Sequence, residues 1–253
     1  MERAPGPALT TASAAPPGQA SAGDAAHRSQ QLQILATEHW SLLATRSLSW
    51  GESFSRATMY LTLLSGAIVA LAFVAQATSF GGAFQTFALL LLPLVIVVGW
   101  TTFVRLLEVN NEDAYWVTGM NRLRKAYVEL EPDLKPFFVT GTSDDAEGMR
   151  QTYAAHGGGI GLHVLITVPA TVAFVNSALL AVLVTIVASR WMGMDMAAGG
   201  PLGPLVGGIA FLVGVAAHIA FGYRGAMQFE RRRQISTPAH FTAREERAVH
   251  RHD

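Results

Sequence analysis

The 253-residue chain contains no cysteine. A disulfide framework, a thiol nucleophile and a Cys-ligated metal are therefore excluded. Lysine is nearly missing as well: Lys125 and Lys135 stand against sixteen arginines. Charged residues make up 14% of the chain, against about 25% in ordinary soluble domains. The formal net charge is zero, so no basic excess marks a nucleic-acid partner. Charge is absent altogether from three long stretches, residues 57–104, 151–189 and 196–223. A membrane-spanning helix needs about 20 predominantly apolar residues. The first stretch holds two such spans, divided at "ATSFGG" (Ala77 to Gly82), and the others hold one each. Helices are expected near 58–79, 84–105, 162–188 and 203–223. The expected fold class is all-α: an integral membrane protein with four transmembrane helices in two hairpins, the second helix extended into a cytosolic stalk.

The basic residues orient the spans. Arg190 is the one that falls in a loop assigned outside, and the other seventeen lie on the opposite side. The positive-inside rule makes that side cytoplasmic, with both termini there, and points to the plasma (inner) membrane. The N-terminal segment 1–28 lacks the apolar core of a signal peptide, and its Pro, Gly, Ala and Ser content predicts disorder. The expected order is then a cytosolic or interfacial amphipathic helix over 29–56, a first membrane hairpin over 57–105 and a stalk over 106–131. A cytosolic loop over 132–160, a second hairpin over 161–223 and a basic tail over 224–253 follow.

In the amphipathic segment, Ala36, Trp40, Leu43, Ser47, Trp50 and Phe54 recur at helical spacing, with Gly51 as an expected break. In the stalk, Leu106, Val109, Asp113, Trp116, Met120, Leu123, Tyr127 and Leu130 form a heptad seam of the kind that packs helix on helix. Nothing before Pro132 interrupts it. Asp113 is the one ionisable group on that seam, so it reads as a device fixing register or partner number, with Arg46, His39 or a second Asp113 opposite. On that reading Asp113→Leu keeps or raises stability. Glu108 and Glu112 share a face, as a cation pair would, yet no third ligand is visible. No metal and no cofactor are expected.

Within the spans, Gly203, Gly207, Ala210, Gly214 and Ala217 align on one face, and Thr62, Ser65, Ala72, Gln76 and Ser79 on another, as close helix packing requires. The intramembrane polar candidates are Gln76, His163, Asn176 and His218, and two histidines at one depth are either interfacial hydrogen-bonders or a pair able to bind a metal or sense pH. No Asp, Glu, Lys or Arg lies inside a span, which argues against a proton-coupled pump. Arg231, Arg232 and Arg233 form a basic cluster placed to face anionic lipid at the inner leaflet.

The stretches "EHWSLLATRSLSWGESFSRATMYLTLLSGAIVALAFVAQATSFG" and "FVRLLEVNNEDAYWVTGMNRLRKAYVELEPDLKPFFVTG" resemble a group of uncharacterised actinobacterial four-span membrane proteins. The order of helix, short hairpin and cytosolic helix is also similar to that of SLATT membrane effectors, a likeness that implies pore formation in bacterial defence. The second hairpin departs from their two-span pattern. No acid–base pair or nucleophile constellation appears, so an enzyme is not expected. Two functions remain: an oligomeric pore or channel assembled through the 106–130 seam, or a non-conducting scaffold that anchors a cytosolic partner. The bilayer, anionic lipid and further copies of the chain are the expected partners.

Overall fold

The structure, a computed structural model, describes residues 22–154, 167–192, 202–236 and 238–242. Its elements are α1 (Ala22–Thr78), α2 (Gly82–Leu130), a 3-10 helix (Pro132–Phe137), α3 (Ala146–Ala154), α4 (Val168–Met192) and α5 (Leu202–Ser236). The described residues contain no strand. Four helices, α1, α2, α4 and α5, are long and apolar enough to cross a membrane.

The expected boundaries shift at several points. α1 is one uninterrupted helix of 57 residues from Ala22, so residues 22–28 are helical rather than disordered, and Gly51 makes no break; residues 1–21 of the expected tail lie outside the described residues. One glycine costs a helix interior only about 1 kcal/mol, far less than the packing along α1 supplies. At 1.5 Å per residue α1 is about 85 Å long, and α2, with 49 residues, about 73 Å. Each has an apolar half and a polar half. α1 stops at a turn in which Ser79 and Phe80 adopt left-handed backbone angles, with φ of 48° and 58°. The Phe80 N–H donates to the Ala75 carbonyl at 3.2 Å, the long hydrogen bond of a helix-terminating motif. The expected loop over 132–160 contains the 3-10 helix and α3. Asp145 starts α3 by accepting from the Gly148 N–H at 2.9 Å, the usual side-chain cap of an N-terminus.

α1 and α2 lie antiparallel against each other over their whole length. Arg28 meets Glu131, Arg46 meets Asp113, Arg105 meets Glu52, and Tyr60 meets Gly99. On α2, Ala88, Leu92, Val95, Gly99, Thr102, Leu106, Val109 and Asp113 are all buried. That is an unbroken 4-3 repeat running from the apolar half into the polar half. α1 answers with Ser53, Ala57, Tyr60, Leu64 and Ala67. Beyond Asp113 the buried column moves: Val117 is fully buried, while Trp116 is half-buried. A straight helix drifts by about 20° per heptad against an ideal 3.5-residue repeat, roughly 70° between Ala88 and Asp113, so the facing position moves toward the neighbouring residue. Met120 stays buried, and Leu123, Tyr127 and Leu130 are half-buried.

α4 and α5 also pair antiparallel, with Thr185 against Gly207 and Ser177 against Gly214. They lean on α2 through Val172, Asn176 and His218. Lipid is as apolar as leucine, so apolar helices associate there by close packing, and small residues set the approach. Gly99 is such a position: a Cβ there would sit 2.4 Å from Asn176 Oδ1 and 2.9 Å from Tyr60 Cε2. At Gly51, by contrast, a Cβ would meet nothing within 4 Å. Gly51→Ala is therefore expected to raise stability by about 0.5–1 kcal/mol, and Gly99→Ala to lower it through the clash. Thermal melts of the two variants check both signs.

Candidate functional site

The densest arrangement of chemistry is on the polar half of α2, around Asp113. Its side chain is 4% exposed, and its carboxylate accepts four hydrogen bonds. Arg46 donates from Nε at 2.6 Å and from Nη2 at 3.3 Å. The Trp50 indole donates at 3.0 Å and the Tyr153 hydroxyl at 2.6 Å. Three separate elements, α1, α2 and α3, thus meet on one carboxylate. Of the partners expected for Asp113, Arg46 occupies the place, and His39 instead stacks on Tyr127 with ring centroids 6.0 Å apart. Asp113 is consumed within one protomer, and no second Asp113 is needed to satisfy it. The hydrogen bond to Asp113 pushes the Arg46 pKa up. Burial, and then the bond to Asp113, push the Tyr153 hydroxyl up, so it is fixed as a donor. Burial and the neighbouring Arg124 hold the His39 imidazole below its usual value, and burial and Arg46 do the same for Arg124.

About two turns nearer the apolar half, Arg105 gathers the carboxylates that had the spacing of a cation site. It donates to both oxygens of Glu52 at 3.0 and 2.9 Å, to Glu108 at 3.2 Å and to Glu112 at 2.9 Å. Glu52 also accepts from Arg56 at 2.8 Å. The bonds from Arg105 and then Arg56 hold the Glu52 pKa down to about 2. Arginine thus fills the place a cation would take between Glu108 and Glu112. Among the described residues no three His, Asp or Glu side chains come together as a metal site.

A third polar junction closes the far end. Asp144 is fully buried and accepts from Arg122 Nε at 2.5 Å and from the backbone N–H groups of His240 and Phe241 at 3.0 and 2.9 Å. Arg122 donates onward to the Pro238 carbonyl at 2.5 Å. Beside it, buried Asn121 donates to the Ser143 carbonyl at 2.9 Å and accepts from Arg124 at 2.7 Å. α3 approaches this loop so closely that a Cβ at Gly148 would lie 1.9 Å from the Ser143 carbonyl. Arg233 belongs to the same interior. It is 7% exposed, bonded to Glu230 at 2.9 and 3.0 Å and within 3.4 Å of Thr118 Oγ1. The expected triple arginine face therefore reduces to Arg231 and Arg232, which are exposed. Helical geometry explains the split, since adjacent residues point about 100° apart.

The small-residue face of α5 is also shorter than expected. Gly203, Ala210 and Gly214 are buried and Gly207 is half-buried, but Ala217 is exposed and His218 continues the column. His218 is enclosed by Trp100 at 4.9 Å and Phe103 at 4.8 Å between ring centroids, and its Nδ1 is 2.7 Å from the Gly214 carbonyl. Asn176 is buried at 2% exposure, whereas Gln76 is exposed. His163 lies outside the described residues, so the histidine pair is not described.

On α1 only part of the row read as amphipathic faces away from α2, since Trp50 reaches Asp113 and Ala36 is half-buried. Leu32, Leu35, His39, Leu42, Arg46 and Trp50 make up the covered or half-covered side. Trp40 is 71% exposed, and Leu43, Ser47 and Phe54 are exposed with it. The same side continues into the apolar half as Thr62, Ser65, Ala72, Gln76 and Ser79, every one exposed.

The chain matches no family model. No curated protein and no solved structure matches it.

The sequence flagged Asp113 but missed Trp50 and Tyr153 as its donors, and it missed Glu52, Asn121 and Asp144 altogether. Only Asp145 carried a usable signal, as the cap of a short helix. The clasp changes the expectation for Asp113→Leu. That substitution strands three donors from α1 and α3, and with Arg46 partly open to water the loss should be about 2–4 kcal/mol. Tyr153→Phe removes one bond to a charged acceptor and should cost about 1–2 kcal/mol. Chemical denaturation in detergent, with and without chelator, checks both values, and the chelator should change neither. Glu52 is depressed from its ordinary value of 4.5 to about 2, so its contribution is complete above pH 4.5 and fades as pH falls toward 2. Glu52→Gln should therefore flatten the dependence of Tm on pH across that window.

Proposed function

We propose that this is a multi-pass protein of the bacterial inner membrane, with both termini cytosolic, that assembles through the outer face of α1 into an oligomeric pore. The apolar halves of α1 and α2, with α4 and α5, form two membrane hairpins. The polar halves stand in the cytosol as a stalk about 50 Å tall. The placement of seventeen of the eighteen basic residues on one side supports this orientation. Arg231 and Arg232 then lie within reach of anionic headgroups.

The observation that carries the assembly is the row of large apolar side chains on the polar half of α1. Trp40 is 71% exposed, Leu48 76% and Phe54 56%. A contiguous apolar surface left in water marks a contact with something else. The polarity inverts where this side enters the apolar half, with Thr62, Ser65 and Gln76 facing outward, and Gln76 has no hydrogen-bond partner among the described residues. A soluble partner covers only the first part, and lipid suits only the second. A second copy covers both, because identical faces meet at identical depth, apolar on apolar in the stalk and polar on polar in the bilayer. The 106–130 seam is not open for this purpose, since α1 and α3 already occupy it.

One observation favours a second reading, a non-conducting scaffold that recruits a cytosolic partner. Thr62 Oγ1 donates to the Thr58 carbonyl at 2.9 Å, and Ser65 Oγ to the Leu61 carbonyl at 2.8 Å. Hydroxyls bonded to their own helix suit a dry helix contact as well as a wet one. The chain has no cysteine, so single cysteines at Ser47, Ser65 and, as control, Leu64 test the interface in liposomes. Oxidation should cross-link the Ser47→Cys and Ser65→Cys variants into dimers and leave Leu64→Cys monomeric. Cross-linking absent from both outer positions sinks the assembly. Ion flux that falls with Gln76→Leu supports the pore, and cross-linking without any flux supports the scaffold.

A further inference from the structure

Among the described residues, three polar atoms in the apolar half are buried without a hydrogen-bond partner: the Tyr60 hydroxyl, Asn176 Oδ1 and His218 Nε2. Their residues are 1%, 2% and 4% exposed. They come from α1, α4 and α5, and all three pack on one turn of α2. Gly99 separates Tyr60 from Asn176, and Trp100 and Phe103 flank His218. An unpartnered polar group in an apolar interior is costly, so a helix junction that gathers three of them calls for a guest.

The chemistry of the guest follows from the three atoms. A carbonyl can only accept, so the 2.7 Å contact between His218 Nδ1 and the Gly214 carbonyl places the ring proton on Nδ1. Nε2 is then a bare acceptor. Asn176 Oδ1 is also an acceptor, and the Tyr60 hydroxyl both donates and accepts. The guest must therefore donate hydrogen bonds. It must also be uncharged. No Asp, Glu, Lys or Arg lies within 57–104, 167–189 or 202–223, so a cation would sit in a low-dielectric interior with no counter-charge. The missing side chain of Gly99 lets Tyr60 and Asn176 close on the same turn of α2, where any Cβ would press on both.

We propose that the junction of α1, α2, α4 and α5 is an internal hydration site, where water bridges Tyr60 to Asn176 and reaches His218. Water donates twice and accepts twice, so it satisfies Asn176 in either orientation of the amide. The site lies on the side of α1 opposite the outer face, so it stands or falls independently of assembly.

Brief X-ray radiolysis of the full chain in lipid nanodiscs tests this, because hydroxyl radicals formed from bound water label the side chains beside it. Tyr60 should be oxidised despite its burial, and should take up heavy oxygen after exchange into labelled water. In Asn176→Leu that labelling should be lost, while the melting temperature is held or raised. An unlabelled Tyr60 in the unmodified protein overturns the site, whether or not the variant folds. So does labelling that persists unchanged in a folded Asn176→Leu. Melting should be the same in sodium, ammonium and choline chloride. A rise specific to sodium or ammonium, abolished by Asn176→Leu, would make the guest a cation and overturn the proposal.

Discussion

The antiparallel contact between α1 and α2 holds everything else in place. Its buried repeat begins among apolar side chains at Ala88 and ends on a carboxylate at Asp113. In the apolar half the contact rests on fit, because lipid offers no hydrophobic penalty to drive the helices together. In the polar half the contact buries Leu106, Val109 and Val117, with Asp113 and Arg105 as fixed points. One continuous interface therefore draws on two different driving forces. Register matters throughout, since a slip of one residue would carry Asp113 away from Arg46 and Trp50 and leave all three unsatisfied.

The three polar junctions divide the work of joining segments to that pair. Asp113 ties α3 to both long helices through Tyr153. Arg105 closes the point where the polar halves begin, and its three carboxylates keep it neutralised. Asp144, gripped by Arg122 and by two successive backbone N–H groups, fastens the segment after α5 to the loop before α3. At Asp113 and Asp144 a group costly to bury alone is surrounded by partners from distant parts of the chain. Such sites specify one arrangement over its alternatives more than they add net stability.

Much of the helical content was legible because it depends on local composition. Uncharged stretches locate the four apolar helices, and the seam from Leu106 to Met120 announces that α2 continues past its apolar half. Direction was harder to read. The row from Trp40 to Phe54 has the spacing of a packed face, and yet α1 turns His39, Leu42 and Arg46 inward instead. Periodicity gives the existence of a face and is silent about what covers it. Asp113 could be singled out because it interrupts an apolar row. Asp144 could not, since it sits in an acidic, glycine-rich run indistinguishable from a solvated loop, and its burial depends on residues about a hundred positions away. The junction at Gly99 was equally hidden, for the approach of Tyr60 and Asn176 is a property of three helices together.

The continuity of α1 has a mechanical meaning. A rod with no hinge between its two halves is a lever, and the turn at Ser79 and Phe80 fixes one end of it to α2. In the arrangement proposed above, with the apolar half of α1 in lipid and its polar half in water, any change in bilayer thickness alters the tilt that matches helix to membrane. A tilt of about 5° sweeps the far end of a 50 Å arm through roughly 4 Å. That is comparable to the distance between neighbouring side chains on a helix surface. The state of the membrane is thereby written into the position of the segment around Ala22, well out in the water.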